Sequence, residues 1–124
     1  MREFDEAIYA RLSANPALSG RVFNGIAPLE TPPPYVVFSL ASGVEEHQIP
    51  RRALRLSYIV KAAAWSHEEA WRLAREADLA LDNAQILSSF WCKRSSLISI
   101  AEPTEEGRVL FWAGGIYLIR AEVL

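Results

Sequence analysis

The sequence predicts an α+β fold: a mostly antiparallel sheet of about four strands with two main helices packed against it, in the order α-β-β-α-β-β. Three observations predict it. Two segments, 3–14 and 66–82, carry apolar residues at helical spacing. Four others alternate in the manner of half-buried strands or run as short apolar stretches between turn residues. Proline and glycine clusters separate these segments, and internal repeats are absent.

The first helix rests on Phe4, Ala7, Ile8 and Leu12, which fall on one side, with Glu3, Glu6 and Arg11 largely elsewhere. Acids in its first turn suit the helix dipole. Asn15-Pro16 ends it, because proline disfavours helical backbone in the residue before it. A connector follows, with a possible short strand at Arg21–Phe23 and a turn at Asn24-Gly25. Pro32-Pro33-Pro34 removes three donors and fixes three φ angles, so it reads as a stiff extended lead-in.

Tyr35 to Ala41 is the next expected strand, with Val36, Phe38 and Leu40 on one face. Another runs from about Ala53 to Lys61. Leu54, Leu56, Tyr58 and Val60 face one way; Arg55, Ser57, Ile59 and Lys61 face the other, toward water or a partner. Between the two strands, Ser42–Arg52 reads as a loop far longer than hairpins usually use. Its charges are segregated, Glu45-Glu46-His47 before Arg51-Arg52, which marks it as a contact element.

Ser66-His67-Glu68-Glu69 is a capping box, so a helix starts here and runs to about Asp82. Ala70, Leu73, Ala74, Ala77, Ala80 and Leu81 form its buried stripe. The alanines predict close approach to the sheet. Glu68–Arg72 and Arg72–Glu76 are the expected surface pairs. Trp71 and Leu79 lie off the stripe, and either can anchor a neighbouring subunit, Trp71 more readily because aromatic residues dominate interface hot spots. Residues 83–94 have no clear assignment beyond a short buried segment at Phe90-Trp91-Cys92. Residues 96–102 read as a strand, 103–107 as a turn, and a final strand starts at Arg108. Gly114-Gly115 inside that strand signals a bulge or a close backbone approach.

The chain has 124 residues, the length of one domain, long enough to bury a core without staples. Hydrophobic residues make up 51%, rich for this length, so some apolar surface is expected outside as a partner surface. The net charge of −2 offers no basic excess for nucleic acid or an anionic membrane. One cysteine, Cys92, permits no internal disulfide. The charged start, Met1 to Glu6, is unlike a signal peptide, and no run approaches the length of a membrane span.

Chemistry is sparse. His47 and His67 sit on different elements with one distant cysteine, short of a metal site, so neither a metal nor another cofactor is implied. Cys92 lacks an identifiable base and reads as a small core residue, not a nucleophile. No nucleophile elbow, phosphate-binding glycine loop or dinucleotide fingerprint occurs. The expectation is a protein that is not an enzyme. Two competing readings remain: a ligand-binding or enzymatic domain with an aromatic pocket near Trp91, Cys92 and Trp112, and a weak DNA-binding module using Arg51, Arg52 and Arg55.

Five stretches occur in a telling order: Leu12-Ser13-Ala14-Asn15-Pro16-Ala17-Leu18; Gly20-Arg21-Val22-Phe23 with Ala27-Pro28; Pro33-Pro34-Tyr35-Val36-Val37-Phe38; a strand leading into Trp65-Ser66-His67-Glu68-Glu69-Ala70 and the helix ending at Leu81-Asp82; and a long C-terminal strand. This order resembles the tail completion family of long-tailed bacteriophages, the tail-terminator or head–tail joining proteins. Ala62-Ala63-Ala64 departs from the pattern by lengthening the passage from strand to helix, and Gly114-Gly115 makes the last strand less regular.

The resemblance implies a structural virion protein: a homo-oligomeric ring, commonly a hexamer, that caps the tail tube and joins it to the head. It implies tail-tube and head-connector proteins as partners, with DNA passing through the lumen without sequence-specific binding and no membrane involved. It also implies a place at the head-proximal end of the tail, after assembly in the bacterial host cytoplasm. The contacts expected to serve the subunit or tail-tube interface are Glu45, Glu46, His47, Arg51, Arg52, Trp71 and Leu79.

Overall fold

The structure is a computed structural model that describes residues 2–47, 52–87 and 89–123. The elements are α1 (Arg2–Ser13), β1 (Val22–Asn24), β2 (Tyr35–His47), β3 (Arg52–Ala64), α2 (His67–Leu81), β4 (Ser89–Pro103) and β5 (Val109–Val123). The five strands form one sheet in the order β1-β2-β3-β5-β4. β1 runs parallel to β2, and every other neighbouring pair is antiparallel. The α+β class and the order of the main elements agree with the sequence reading; the short strand near Arg21 adds a fifth member to the sheet.

Both helices lie on one face. Val36 and Phe38 of β2, Leu56, Tyr58, Val60 and Ala62 of β3, and Tyr117 and Ile119 of β5 point toward them. Ile8 and Leu12 of α1 and Leu73, Ala77 and Leu81 of α2 complete this core, all buried. Where α2 crosses nearest to the sheet, small residues meet: Ala70 and Ala74 on the helix, Ala64 on β3 and Ala113 on β5. Ala62-Ala63-Ala64 is therefore the buried end of β3 and not an extended connector. Alanine is a poor strand former, but here a larger side chain would push the helix off the sheet.

The start of α2 follows the capping expectation, with the Glu69 amide donating to Ser66 Oγ at 3.2 Å. Ser66→Ala is expected to cost about 1 kcal/mol, read as a shift of the urea midpoint with unchanged m-value. The surface pairs differ from those expected. Arg72 reaches Glu69 at 4.0 Å, while Glu76 Oε2 accepts from Asn15 Nδ2 at 2.9 Å. Asn15 thus ends α1 and ties it to α2, and Arg11 Nε adds a bond to the Ala80 carbonyl near the end of α2.

The largest correction concerns Ser42–Arg52. β2 does not stop at Ala41. After a bulge between Leu40 and Ser42 it stays paired with β3 out to His47 opposite Arg52. Residues 42–47 of the segment read as a long loop are therefore the far end of β2, paired with β3. Gly43, Glu45 and Glu46 have weak strand preference, and their conformation comes from the partner strand. β4 likewise begins at Ser89, well before the expected start at residue 96.

The Gly114-Gly115 pair does not interrupt β5, which runs unbroken from Val109 to Val123. The glycines mark a close approach. A Cβ on Gly114 would stand 2.0 Å from the Val60 carbonyl oxygen and 2.7 Å from Lys61 Cα. One on Gly115 would stand 2.5 Å from the Ser96 carbonyl oxygen, beside the bulge that β4 makes between Arg94 and Ser96.

Candidate subunit interface

Two buried tyrosines lock the helices to the sheet. Tyr58 Oη donates to Asp5 Oδ1 at 2.6 Å, and Tyr117 Oη donates to Asp78 Oδ1 at 2.7 Å. Arg94 Nε stands 3.6 Å from the same Asp78 oxygen. Burial, then the bond to the carboxylate, pushes both phenols well above their ordinary value of 10.0. Above about pH 10 the unfolded phenols ionise while the folded ones hold their protons, so each contributes stability below that pH and loses it as pH rises. Unfolding free energy should fall steeply in alkali, and Tyr117→Phe should flatten that fall while costing about 1–2 kcal/mol near neutrality. Burial also pushes the Cys92 thiol up to about 12, which keeps it protonated and unreactive.

The helices cover one face only. The opposite face carries Phe23, Tyr35, Val37, Ile59, Ile98, Ile100, Trp112, Ile116 and Leu118 at alternate positions. At one end of this face the rings stack edge to face: Phe23 on Tyr35 at 6.1 Å, and Tyr35 on Trp112 at 5.9 Å. Lys61 Nζ lies 4.4 Å from the centre of the Trp112 ring, and Trp112 Nε1 donates to Glu102 at 2.8 Å. Arg55, Lys93 and Arg120 share this face by register, so it is apolar with a basic rim.

Among the described residues the sheet also has two open edges. β4 is the outer strand on one side. Its residues 93–100 are exposed or half-exposed on both faces, with Leu97 at 62% and Ile100 at 49%. On the other side β1 covers β2 only at Val36–Phe38. From Ser39 onward the outer edge of β2 has no strand beside it among the described residues, and Leu40 to Val44 are exposed. Long uncovered edges are rare because they invite pairing with another chain.

Of the residues anticipated for an interface, Glu45, Glu46 and His47 are the last three of β2, and Arg52 is the first of β3, opposite His47. Arg51 lies outside the described residues. Trp71 is half-buried: it packs against the Ala64–Ala70–Ala74–Ala113 cluster, and its ring meets His67 edge to face at 6.2 Å. Leu79 is 71% exposed. Sequence reasoning turns one face of β3 toward water or a partner, but it does not show the two edges or the apolar extent of that face across β4 and β5. Their signal was present in the apolar residues at both parities of 97–100 and 116–119.

Of the three residues anticipated to line a pocket, Trp91, Cys92 and Trp112, the last two cannot share one, and the side chain of Trp91 lies outside the described residues. Cys92 lies opposite Ile119 on the helix face and is buried, whereas Trp112 lies on the other face. Arg55 is exposed on the uncovered face, in the row of Val44 and Arg120. Among the described residues no cluster of three metal-ligating side chains occurs, and no helix is long and apolar enough to cross a membrane.

No family model matches the sequence, and no curated protein matches it. Among solved structures, 24 chains match. One of them is a chain of the virion of a native gene transfer agent particle. The match has a TM-score of 0.69 at 14% identity and covers 95% of this chain and 93% of that one. The two chains share a fold. At this identity the likeness is one of architecture, extending over nearly the whole of both chains.

Proposed function

We propose that this chain is a structural virion protein of a tailed, phage-like particle, built to assemble with copies of itself. The observation that carries the reading is the end-to-end fold match to a chain of a gene transfer agent virion. Within the virion, its role is to cap the tail tube and join it to the head as a homo-oligomeric ring of six copies, the number that the resemblance to tail completion proteins implies. DNA passes through the ring without sequence-specific binding. The chain makes and breaks no bonds in this role.

The geometry supports that reading. A heterologous contact repeated by rotation closes a ring, and it needs two different surfaces on each copy. The chain has them in the two open edges of its sheet. The far ends of β2 and β3, with Glu45, Glu46, His47 and Arg52, are the element suited to reach the tail tube, with Arg51, which lies outside the described residues, as a further charge partner; Trp71 and Leu79 on α2 supply further contacts. The test is to mix purified protein with tail tubes that lack their terminal ring and image the tube ends. Caps at one end are the expected result; bare tubes at saturating protein would refute the role.

A further inference from the structure

We infer that the outer edge of β4 in one copy pairs antiparallel with the outer edge of β2 in the next, residues 93–100 against 39–46, so that one sheet runs on from subunit to subunit. This rests on the ring reading above and specifies its contact.

Strand direction permits it. β2 is antiparallel to β3, β3 to β5, and β5 to β4, so β4 runs opposite to β2. Copies set side by side around an axis keep those directions, and β4 then meets the neighbouring β2 as an antiparallel partner. Length permits it too. β1 ends on β2 at Asn24 opposite Phe38, with the Gly25 amide bonded to the Phe38 carbonyl. Ser39 is the first β2 residue with a vacant edge, and this fixes where the pairing stops.

The charges select the register. Lys93 and Arg94 open the exposed stretch of β4, and the sequence places Glu46 and Glu45 near the end of β2. Antiparallel pairing with Lys93 opposite Glu46 puts Arg94, whose guanidinium lies 3.6 Å from Asp78 of its own copy, opposite Glu45, so Lys93–Glu46 is the pair that selects the register. The register rows agree: Lys93 pairs with Leu118 and Arg94 with Tyr117, while Glu46 pairs with Ala53 and Glu45 with Leu54, so the two pairs keep the same alternation. The bulge of β4 between Arg94 and Ser96 and that of β2 between Leu40 and Ser42 then offset one another. Ser96 falls opposite Val44, Leu97 opposite Gly43, Ile98 opposite Ser42, and Ile100 opposite Ser39. A slip of one residue would set apolar and polar faces against each other.

This register also has the stagger a closed sheet requires. Within one copy, Ser42, Ser57, Leu118 and Lys93 form a single row across β2, β3, β5 and β4. Lys93 opposite Glu46 enters the next copy four residues beyond Ser42, over four strands. One residue per strand is the stagger of an eight-stranded barrel with shear 8, whose strands tilt by about 36°.

Paired cysteines test this. Opposed cross-strand residues lie within disulfide reach, so the Ser42→Cys, Ile98→Cys double variant of the full chain should give a ladder of covalent multimers on non-reducing gels. Each single variant should give none; covalent dimers of Ile98→Cys alone would show β4 pairing with β4 and overturn the inference. A charge swap is the second arm. Lys93→Glu and Glu46→Lys should each raise the concentration for half-assembly by about fivefold or more, and the combination should restore it; no restoration would overturn the register. Intact rings by microscopy without any cross-link would refute the edge contact and leave the ring reading standing. Protein that stays monomeric under every condition would refute the ring reading itself.

Discussion

Gly114→Ala should destabilise the protein by about 3 kcal/mol or more, the largest loss available from adding a single methyl group. The added Cβ would stand 2.0 Å from the Val60 carbonyl oxygen and within 3 Å of Lys61 Cα. Both are backbone atoms of β3, so no side chain can swing aside. The β3–β5 ladder must part locally, at the centre of the sheet. Overpacking usually costs about 1–3 kcal/mol, and contact with backbone on a central strand pair belongs at the upper end. Gly107→Ala provides the comparison. Gly107 has φ +80 but nothing within 4 Å of its Cβ, so its cost is conformational, about 1 kcal/mol. Urea unfolding of the two variants should separate them clearly; equal effects would show that β3 and β5 do not approach as described.

Phe38→Ala should cost about 3–5 kcal/mol. Its ring is among the largest fully buried side chains, on the helix face of β2 within the main core, with Tyr9 at 6.5 Å between centroids. Truncation leaves a cavity bounded by α1 and the sheet, and α1 is then held mainly by Ile8, Leu12 and the Tyr58–Asp5 bond. The variant should unfold at a markedly lower temperature and lose α1 protection in hydrogen exchange before the sheet. Leu79→Ala, by contrast, removes an exposed side chain and should leave the monomer's stability within about 0.5 kcal/mol.

The sequence carried the helices well because each was signalled twice, by apolar spacing and by an end signal, the Asn15-Pro16 stop for α1 and the Ser66 cap for α2. Ser66 and Glu69 set the start of α2, and its alanine stripe announced the close packing on Ala64 and Ala113. Strand lengths were harder. The ends of β2 and β4 lie outside the helix-covered core, so residues such as Ser42, Gly43, Ser96 and Ser99 show no alternation of burial. They are strands because a neighbour pairs with them, and that information is not local. The same holds for the candidate interface. That β4 is an edge strand follows from β5 inserting between it and β3, which no single stretch of sequence states. Trp71 illustrates the converse: its position off the helix stripe was legible, but its packing beside Phe111 and His67 depends on where α2 crosses the sheet.

The central claim is that this chain acts by fitting beside copies of itself. Its most direct test is the mass of the purified full chain over a concentration series by light scattering, with particles at the highest concentration imaged directly. The account predicts a closed species at one fixed multiple of 13.9 kDa, with a central hole. A mass of 13.9 kDa at every concentration, unchanged by adding tail tubes, would contradict it.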